Sequence, residues 1–367
     1  MTAIDSNIYE SSGVFVVAEL AFSAGDLAQV RFVVSPMWQV VTSFRLLSNH
    51  TGHTGHTGHT GHSDQAGHAD RTSVSPAHRP WIEQVRPRVA AAGLHRGWLA
   101  GLIPPAGFCP YFLNPAPTGA APTLAMELAA VRNASAVRIR RDLDHLAHHQ
   151  GPLDARLRSL HHDPDTRLAR LTEEIHTYWE LALAPYWARI RAALDTDVFH
   201  RAHQVAEHGA GHVLNDLHTA VRWDDGKLHL TRRSRPLPRT AAGPGLLLVP
   251  SAFTGPRVPT RVAPPEPPQL VYPARGTASI WTPRPTTGTD ALAAVLGRSR
   301  TRLLSELDTP ASTTQLAHRT GLSPAAVSHY LTALRDAGLV SAHRAGRSVL
   351  YARTAAAETL LEAATNA

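Results

Sequence analysis

The chain has 367 residues, 43% of them hydrophobic and 18% charged, enough for two or three domains with real cores and too apolar for global disorder. A single cysteine, Cys109, excludes a disulfide scaffold and any multi-thiolate zinc or iron–sulfur site within one chain. The 36 Lys and Arg residues against 29 Asp and Glu leave a formal charge of +7, with Lys227 the single lysine. An Ala-, Arg- and Pro-rich composition follows from GC-rich coding as readily as from a polyanionic partner, so the placement of the arginines says more than their number. No apolar run reaches the roughly 18 residues of a spanning helix. Met1–Gly13 holds Asp5 and Glu10 without Lys or Arg, unlike a secretory leader. The expectation is a soluble, reduced, cytoplasmic protein with no cofactor and no membrane partner.

In chain order, Glu19–Phe22 reads as a strand and Asp26–Val33 as a helix. Ser35-Pro36 then supplies an N-cap and first helical residue for Met37–Leu47. A repeat follows, His50, His53, His56, His59 and His62 separated by Thr-Gly, continuing loosely to His68 and His78. It has no apolar period, so residues 50–80 are expected as a disordered loop. Tethered imidazoles could chelate a metal, but no carboxylate or thiolate stands at fixed spacing. Beyond the loop the period is helical over Pro80–Ala92, His95–Leu102, Thr123–Arg132, Ala136–His148, Pro164–Leu183 and Pro185–Glu207. The aromatic group Tyr178, Trp179, Tyr186 and Trp187 around Pro185 is expected as core packing. His200, His203, His208 and His212 read as surface residues, because no H-E-x-x-H is present.

From Val221 the period shortens. Val221–Trp223 and Leu228–Leu230 flank an Asp-Gly turn and read as a hairpin. Gly245–Val249, Arg257–Val262, Leu270–Tyr272 and Thr277–Trp281 would complete a small antiparallel sheet, with prolines at 264, 265, 267, 268, 283 and 285 blunting its edges. The fold class expected is therefore mainly α with a small antiparallel β-sheet and a C-terminal winged helix-turn-helix. Residues 1–282 form a helical and small-sheet region, 283–289 a linker, and 290–367 the winged helix.

The C-terminal stretch carries the most information. Leu292, Val295, Leu296, Leu303, Leu304 and Leu307 mark one face of a helix running to Asp308. Ser312-Thr313-Thr314-Gln315 is a capping box that opens a second helix, which Gly321 ends. Ser323-Pro324 opens a third and Gly338 closes it. Within it Val327, Leu331 and Leu334 face inward. The opposite stripe, Ala325, Ser328, His329, Thr332 and Arg335, is small and polar, as a helix entering a major groove requires. Val340–His343 and Ser348–Arg353 follow as strands joined by Arg344-Ala345-Gly346-Arg347, a wing whose tip arginines suit phosphates or a narrow minor groove. From 298 to 353 eight arginines face three acids.

The run Leu322-Ser323, Val327-Ser328-His329-Tyr330-Leu331, Leu334, Ala337-Gly338-Leu339-Val340, Arg344, Gly346-Arg347 and Tyr351 resembles the winged helix-turn-helix of ArsR-type transcriptional repressors over about 70 C-terminal residues. Phe32–Pro36, Leu247–Pro250 and Val271–Gly276 resemble the long N-terminal region of actinobacterial members. The resemblance implies a homodimer that binds double-stranded operator DNA and responds to a signal. Metal-sensing members use cysteines near the second and third helices, or Asp, His and Glu on the last one. Here no cysteine follows Cys109, and the last helix, Ala355–Ala364, offers only Glu358 and Glu362, so no metal is expected at those family sites.

The candidate DNA-binding residues are thus Thr313, Thr314, Gln315, Ser323, Ala325, Ser328, His329, Tyr330, Thr332, Arg335, Arg344 and Arg347. No catalytic residue is assigned, since G-x-S-x-G, G-x-G-x-x-G and P-loop patterns are missing. Two alternatives stay open. One is a metal-responsive regulator using the histidine loop. The other is an enzyme or ligand-binding module in residues 14–282, with the winged helix as an accessory.

Overall fold

The computed structural model describes residues 16–50, 75–233, 245–255, 258–281, 289–346 and 348–365. Most of the histidine repeat (51–74), nearly all of the expected linker (282–288) and Arg347 lie outside the described residues. The expected loop ends earlier than residue 80: Pro76–His78 form a 3-10 turn, and buried His78 places Nε2 2.7 Å from the Ala252 carbonyl.

The chain enters through β1 (Val16–Ala21), α1 (Ala24–Leu27), β2 (Val30–Phe32) and α2 (Pro36–His50). The helix expected over Asp26–Val33 is only one turn, started by a capping box of Ser23 and Asp26. Val30 and Phe32 are drawn instead into parallel pairing with Leu246–Leu248, where branched and aromatic side chains pack well. Helix α2 is buried along most of its length. At its start the Glu127 carboxylate accepts from Ser35 Oγ at 2.6 Å and from the Met37 N–H at 2.7 Å, so a side chain from a distant helix serves as its cap. Burial pushes the Glu127 carboxyl up to about 7, against the pull of those two donors.

Helices α3 (Arg79–Ala91), α4 (Trp98–Leu102), α5 (Leu124–Arg132), α6 (Ala136–Gln150), α7 (Ala155–His162), α8 (Pro164–Ala182), α9 (Trp187–His208) and α10 (Ala210–Asp216) follow. The short helices α7 and α10 are additions to the expected set. The expected helix over His95–Leu102 is divided at Gly97 into a 3-10 turn and α4. There the Glu174 carboxylate accepts from the N–H groups of Trp98 and Leu99 at 2.9 and 2.8 Å, and a Cβ on Gly97 would collide with it. Cys109 is half-buried, and burial raises its thiol to about 11, the state of an unreactive sulfur. His200, His203, His208 and His212 are exposed.

Strands β3 (Val221–Asp224), β4 (Lys227–Arg233), β5 (Leu246–Ser251), β6 (Thr260–Arg261) and β7 (Gln269–Pro273) form two sheets with β1 and β2. The small antiparallel sheet is β1-β4-β3, and its β3–β4 turn places Asp225 and Gly226 at φ 42° and 72°, as a tight hairpin demands. The strands beyond residue 244 do not join it. They form a second sheet of order β2-β5-β7-β6, parallel except for β6. Parallel strands are covered on both faces, which explains the unbroken apolar run of β5. The strand expected over Arg257–Val262 shrinks to β6, with residue 257 outside the described residues. Thr277–Ile280 is a 3-10 turn and not a strand, because both edges of β7 are already occupied by β5 and β6.

The C-terminal part consists of α11 (Thr289–Leu296), α12 (Arg298–Glu306), α13 (Thr313–Thr320), α14 (Pro324–Asp336), β8 (Val340–Ala345), β9 (Ser348–Arg353) and α15 (Ala355–Thr365). The single helix expected over 290–308 is broken at Gly297, φ 87°. The break turns Val295 outward, 81% exposed, while Leu292, Leu303, Leu304 and Leu307 stay in the core. That core is closed by Leu316, Val327, Leu331, Leu334 and Leu361 and is separate from the apolar clusters of the preceding body. Truncating one of its leucines to Ala would cost about 2–5 kcal/mol.

Candidate nucleic-acid interface

Two capped helices build this face. Ser312 Oγ accepts from the Gln315 N–H at 3.3 Å while Gln315 Oε1 accepts from the Ser312 N–H at 2.9 Å. Gly321 at φ 69° makes the turn, and Ser323 Oγ accepts from the Ala326 N–H at 3.2 Å to start α14. Between them Ala317 packs half-buried and Val327 is fully buried, which locks α13 against α14. Ala325, Ser328, His329, Thr332 and Arg335 are all exposed on α14, so the helix presents a continuous polar stripe. Thr332 Oγ1 donates to the Ser328 carbonyl at 3.0 Å, and Arg335 lies 3.3 Å from Asp336, an exposed contact of little strength.

The other candidate residues divide. Thr314 is exposed and Thr313 half-buried at the start of α13, where the first N–H groups point outward. Gln315 and Ser323 are engaged as caps. Tyr330, a candidate beside the outer stripe, is half-buried against the C-terminal core, with the Arg300 guanidinium 5.5 Å from its ring centre. Arg344 is exposed but lies within β8, opposite Val349, and not in the tip loop. The strand runs through Ala345, and the turn is made at Gly346, φ 62°. Arg353 is internal, 5% exposed, donating from Nε to the Leu304 carbonyl at 2.6 Å and standing 3.5 Å from Glu358. It must be subtracted from the arginines counted toward a polyanion.

Pattern reading missed that the wing is anchored. Ser341, His343 and Ala345 are half-buried while Ala342 and Arg344 are exposed, the two-residue period of a strand. The inward side packs on α8 and on the 3-10 turn Ala184–Tyr186. His343 Nδ1 lies 3.0 Å from Glu180 Oε2, and this contact holds the Glu180 carboxyl below the usual carboxylate range. Arg189 of α9 donates to the Asp308 carbonyl at 2.9 Å, and α15 rests on α9. The alternation in β8 was the available signal. Among the described residues no group of three or more His, Cys, Asp or Glu side chains could hold a metal.

Two capped helices about a glycine turn, followed by a two-stranded wing, define a winged helix-turn-helix. Residues 301–342 match the family described as bacterial regulatory protein, arsR family, and this part of the chain is a winged helix-turn-helix of that type. Residues 116–278 match a family of unknown function, DUF5937. The chain is similar to the HTH-type transcriptional regulator NmtR of Mycobacterium tuberculosis, 44% identical over 61 residues, covering 16% of this chain and 51% of that protein. The match thus spans about half the length of this curated relative. No solved structure matches the chain. No helix among the described residues is long and apolar enough to cross a membrane.

Proposed function

We propose that the protein is a DNA-binding transcriptional regulator, a homodimeric repressor acting in the cytoplasm on operator DNA through the exposed stripe of α14. Ser328, His329 and Thr332 read base edges in the major groove. Arg335 contacts the groove rim, Thr313 and Thr314 meet the phosphate backbone, and Arg344 with Arg347 follows the flanking backbone or minor groove. Residues 290–367 act as the DNA-binding unit, and the body before residue 283 supplies signal response and part of the dimer contact. The observation that carries the reading is the exposed stripe of α14, small and polar with Arg335 at its end and free of acidic side chains, held by two capped helix starts. A stripe of this kind desolvates cheaply and fits against base edges.

The test is site selection with the full chain, followed by titration at about 50 and about 200 mM salt. A preferred sequence should emerge, and its affinity should fall with a log–log slope of about −0.9 per phosphate contact. Binding that ignores salt, or no binding at low salt, would overturn the reading. Deleting residues 51–62 in the same assay should leave DNA affinity unchanged with and without zinc. A zinc response of about tenfold that vanishes with the deletion would favour a metal-responsive regulator instead.

A further inference from the structure

Between α5 and α8 lies a groove of about 510 Å³, in the size range of small-molecule sites. Its floor is apolar. Leu124 and Leu128 of α5 pack on the main core, and Trp179 of α8 is 8% exposed. Its rim carries Arg132 and His176, both exposed. Arg132 donates to Thr172 Oγ1 at 3.0 Å, a neutral partner, and among the described residues no carboxylate forms an ion pair with it. An apolar floor with a guanidinium at its lip suits a molecule with an apolar body and a carboxylate head, which the planar fork of arginine binds in a bidentate manner.

The same turn of α8 also holds the wing. Glu180, next in sequence to Trp179, takes the His343 contact at 3.0 Å. Trp179 meets Trp187 edge to face with ring centres 4.8 Å apart, and Trp187 follows directly on the 3-10 turn that touches both β8 and β9. A ligand that shifts Trp179 therefore displaces a neighbour of each wing anchor. We propose that this groove binds a small amphiphile with an apolar chain and a carboxylate head, and that its occupancy changes how the wing seats on α8. The second half rests on the DNA-binding function proposed above; the first half does not.

Decanoate, 1-decanol and decyltrimethylammonium are titrated into the full chain, followed by calorimetry and tryptophan emission. Decanoate should bind saturably, with the other two at least about tenfold weaker. Arg132→Ala should weaken decanoate by about tenfold. Ala129→Trp, which fills the groove from an exposed position, should do the same. Equal binding of all three amphiphiles, or decanoate binding indifferent to both variants, overturns the site. Saturating decanoate should change affinity for the selected DNA by about fivefold in the parent chain and not in Ala129→Trp. Unchanged DNA affinity with decanoate bound overturns the link to the wing while the site stands. Decanoate binding in a chain that binds no DNA overturns the proposed function, and the link with it.

Discussion

In the body, Arg201 and Arg261 are each 1% exposed. Arg201 pairs with Asp197 at 3.1 Å and lies over the Tyr272 ring at 4.8 Å, while Arg261 pairs with Glu266 at 2.9 Å. In the winged helix, Arg302, Arg319, Arg335 and Arg344 stand exposed, around a core of apolar residues. Buried arginines, Arg353 of the winged helix among them, therefore fix internal geometry, while exposed ones remain available to a partner. A chain count of arginine cannot separate the two uses; burial can. Substituting the buried Arg201 or Arg261 should register as lost stability, and substituting the exposed Arg335 or Arg344 as altered binding.

The sharpest way to break this contrast is Arg201→Ala. It strands Asp197, 2% exposed, leaving neutral donors such as the Arg275 N–H at 3.1 Å in place of its ion pair. Removing one partner of a buried pair costs about 3–5 kcal/mol, measurable by denaturant unfolding, and a loss below about 1 kcal/mol would show the pair to be dispensable. Arg335→Ala, by contrast, should stay within about 0.5 kcal/mol.

Next in size is a pH effect from Glu127. Its carboxyl is raised from 4.5 to about 7 in the fold, so the folded chain binds that proton more tightly than the unfolded one. Its contribution is fully present below about pH 4.5 and is lost as pH rises to about 7, by about 3 kcal/mol. The stability difference between the parent chain and Glu127→Gln, followed by unfolding across that window, should decline with rising pH. A flat difference would place Glu127 in a more hydrated setting than its 4% exposure indicates.

Two DNA measurements sharpen the other side. Ser328→Glu should remove sequence preference, since a good base contact contributes about 1–3 kcal/mol of discrimination. Arg344→Ala should weaken selected and scrambled DNA alike and reduce the salt slope by up to about one. If the wing change erased preference and the helix change did not, base readout would belong to the wing. A more local effect is that of Ser323→Ala, about 1 kcal/mol from a lost cap. It should appear in hydrogen exchange of α13 and α14 and leave the body unaffected.

The winged helix was largely legible in the sequence because its signals are local. The Ser312–Gln315 box, Gly321, Ser323-Pro324 and Gly338 each act within a few residues, and the inward period of Val327, Leu331 and Leu334 needs no distant partner. The half-burial of Tyr330 was not legible, because it sits at the border between stripe and core, where its neighbour Arg300 on α12 decides. The body was less legible because its decisive pairings are remote. Trp38 Nε1 donates to Gln269 Oε1 across 231 positions, and nothing near Val30 announces a parallel partner at Leu246. The wing anchor was hidden for the same reason, with Glu180 and His343 163 positions apart.

The pairing of β1 with β4 and of β2 with β5 sets the order in which a growing chain can be completed. At about 5–20 residues per second of synthesis, Val30–Phe32 waits roughly 10–40 s for residue 246 to be made. During that interval two apolar strands and the mostly buried α2 have no sheet to join and are open to chaperones or to other nascent chains. The winged helix, made after the body and built from near neighbours, has no such wait. Yield in a fast-translating host should therefore be limited by the body, and slowing elongation, or supplying a holdase that covers residues 16–50, should recover it.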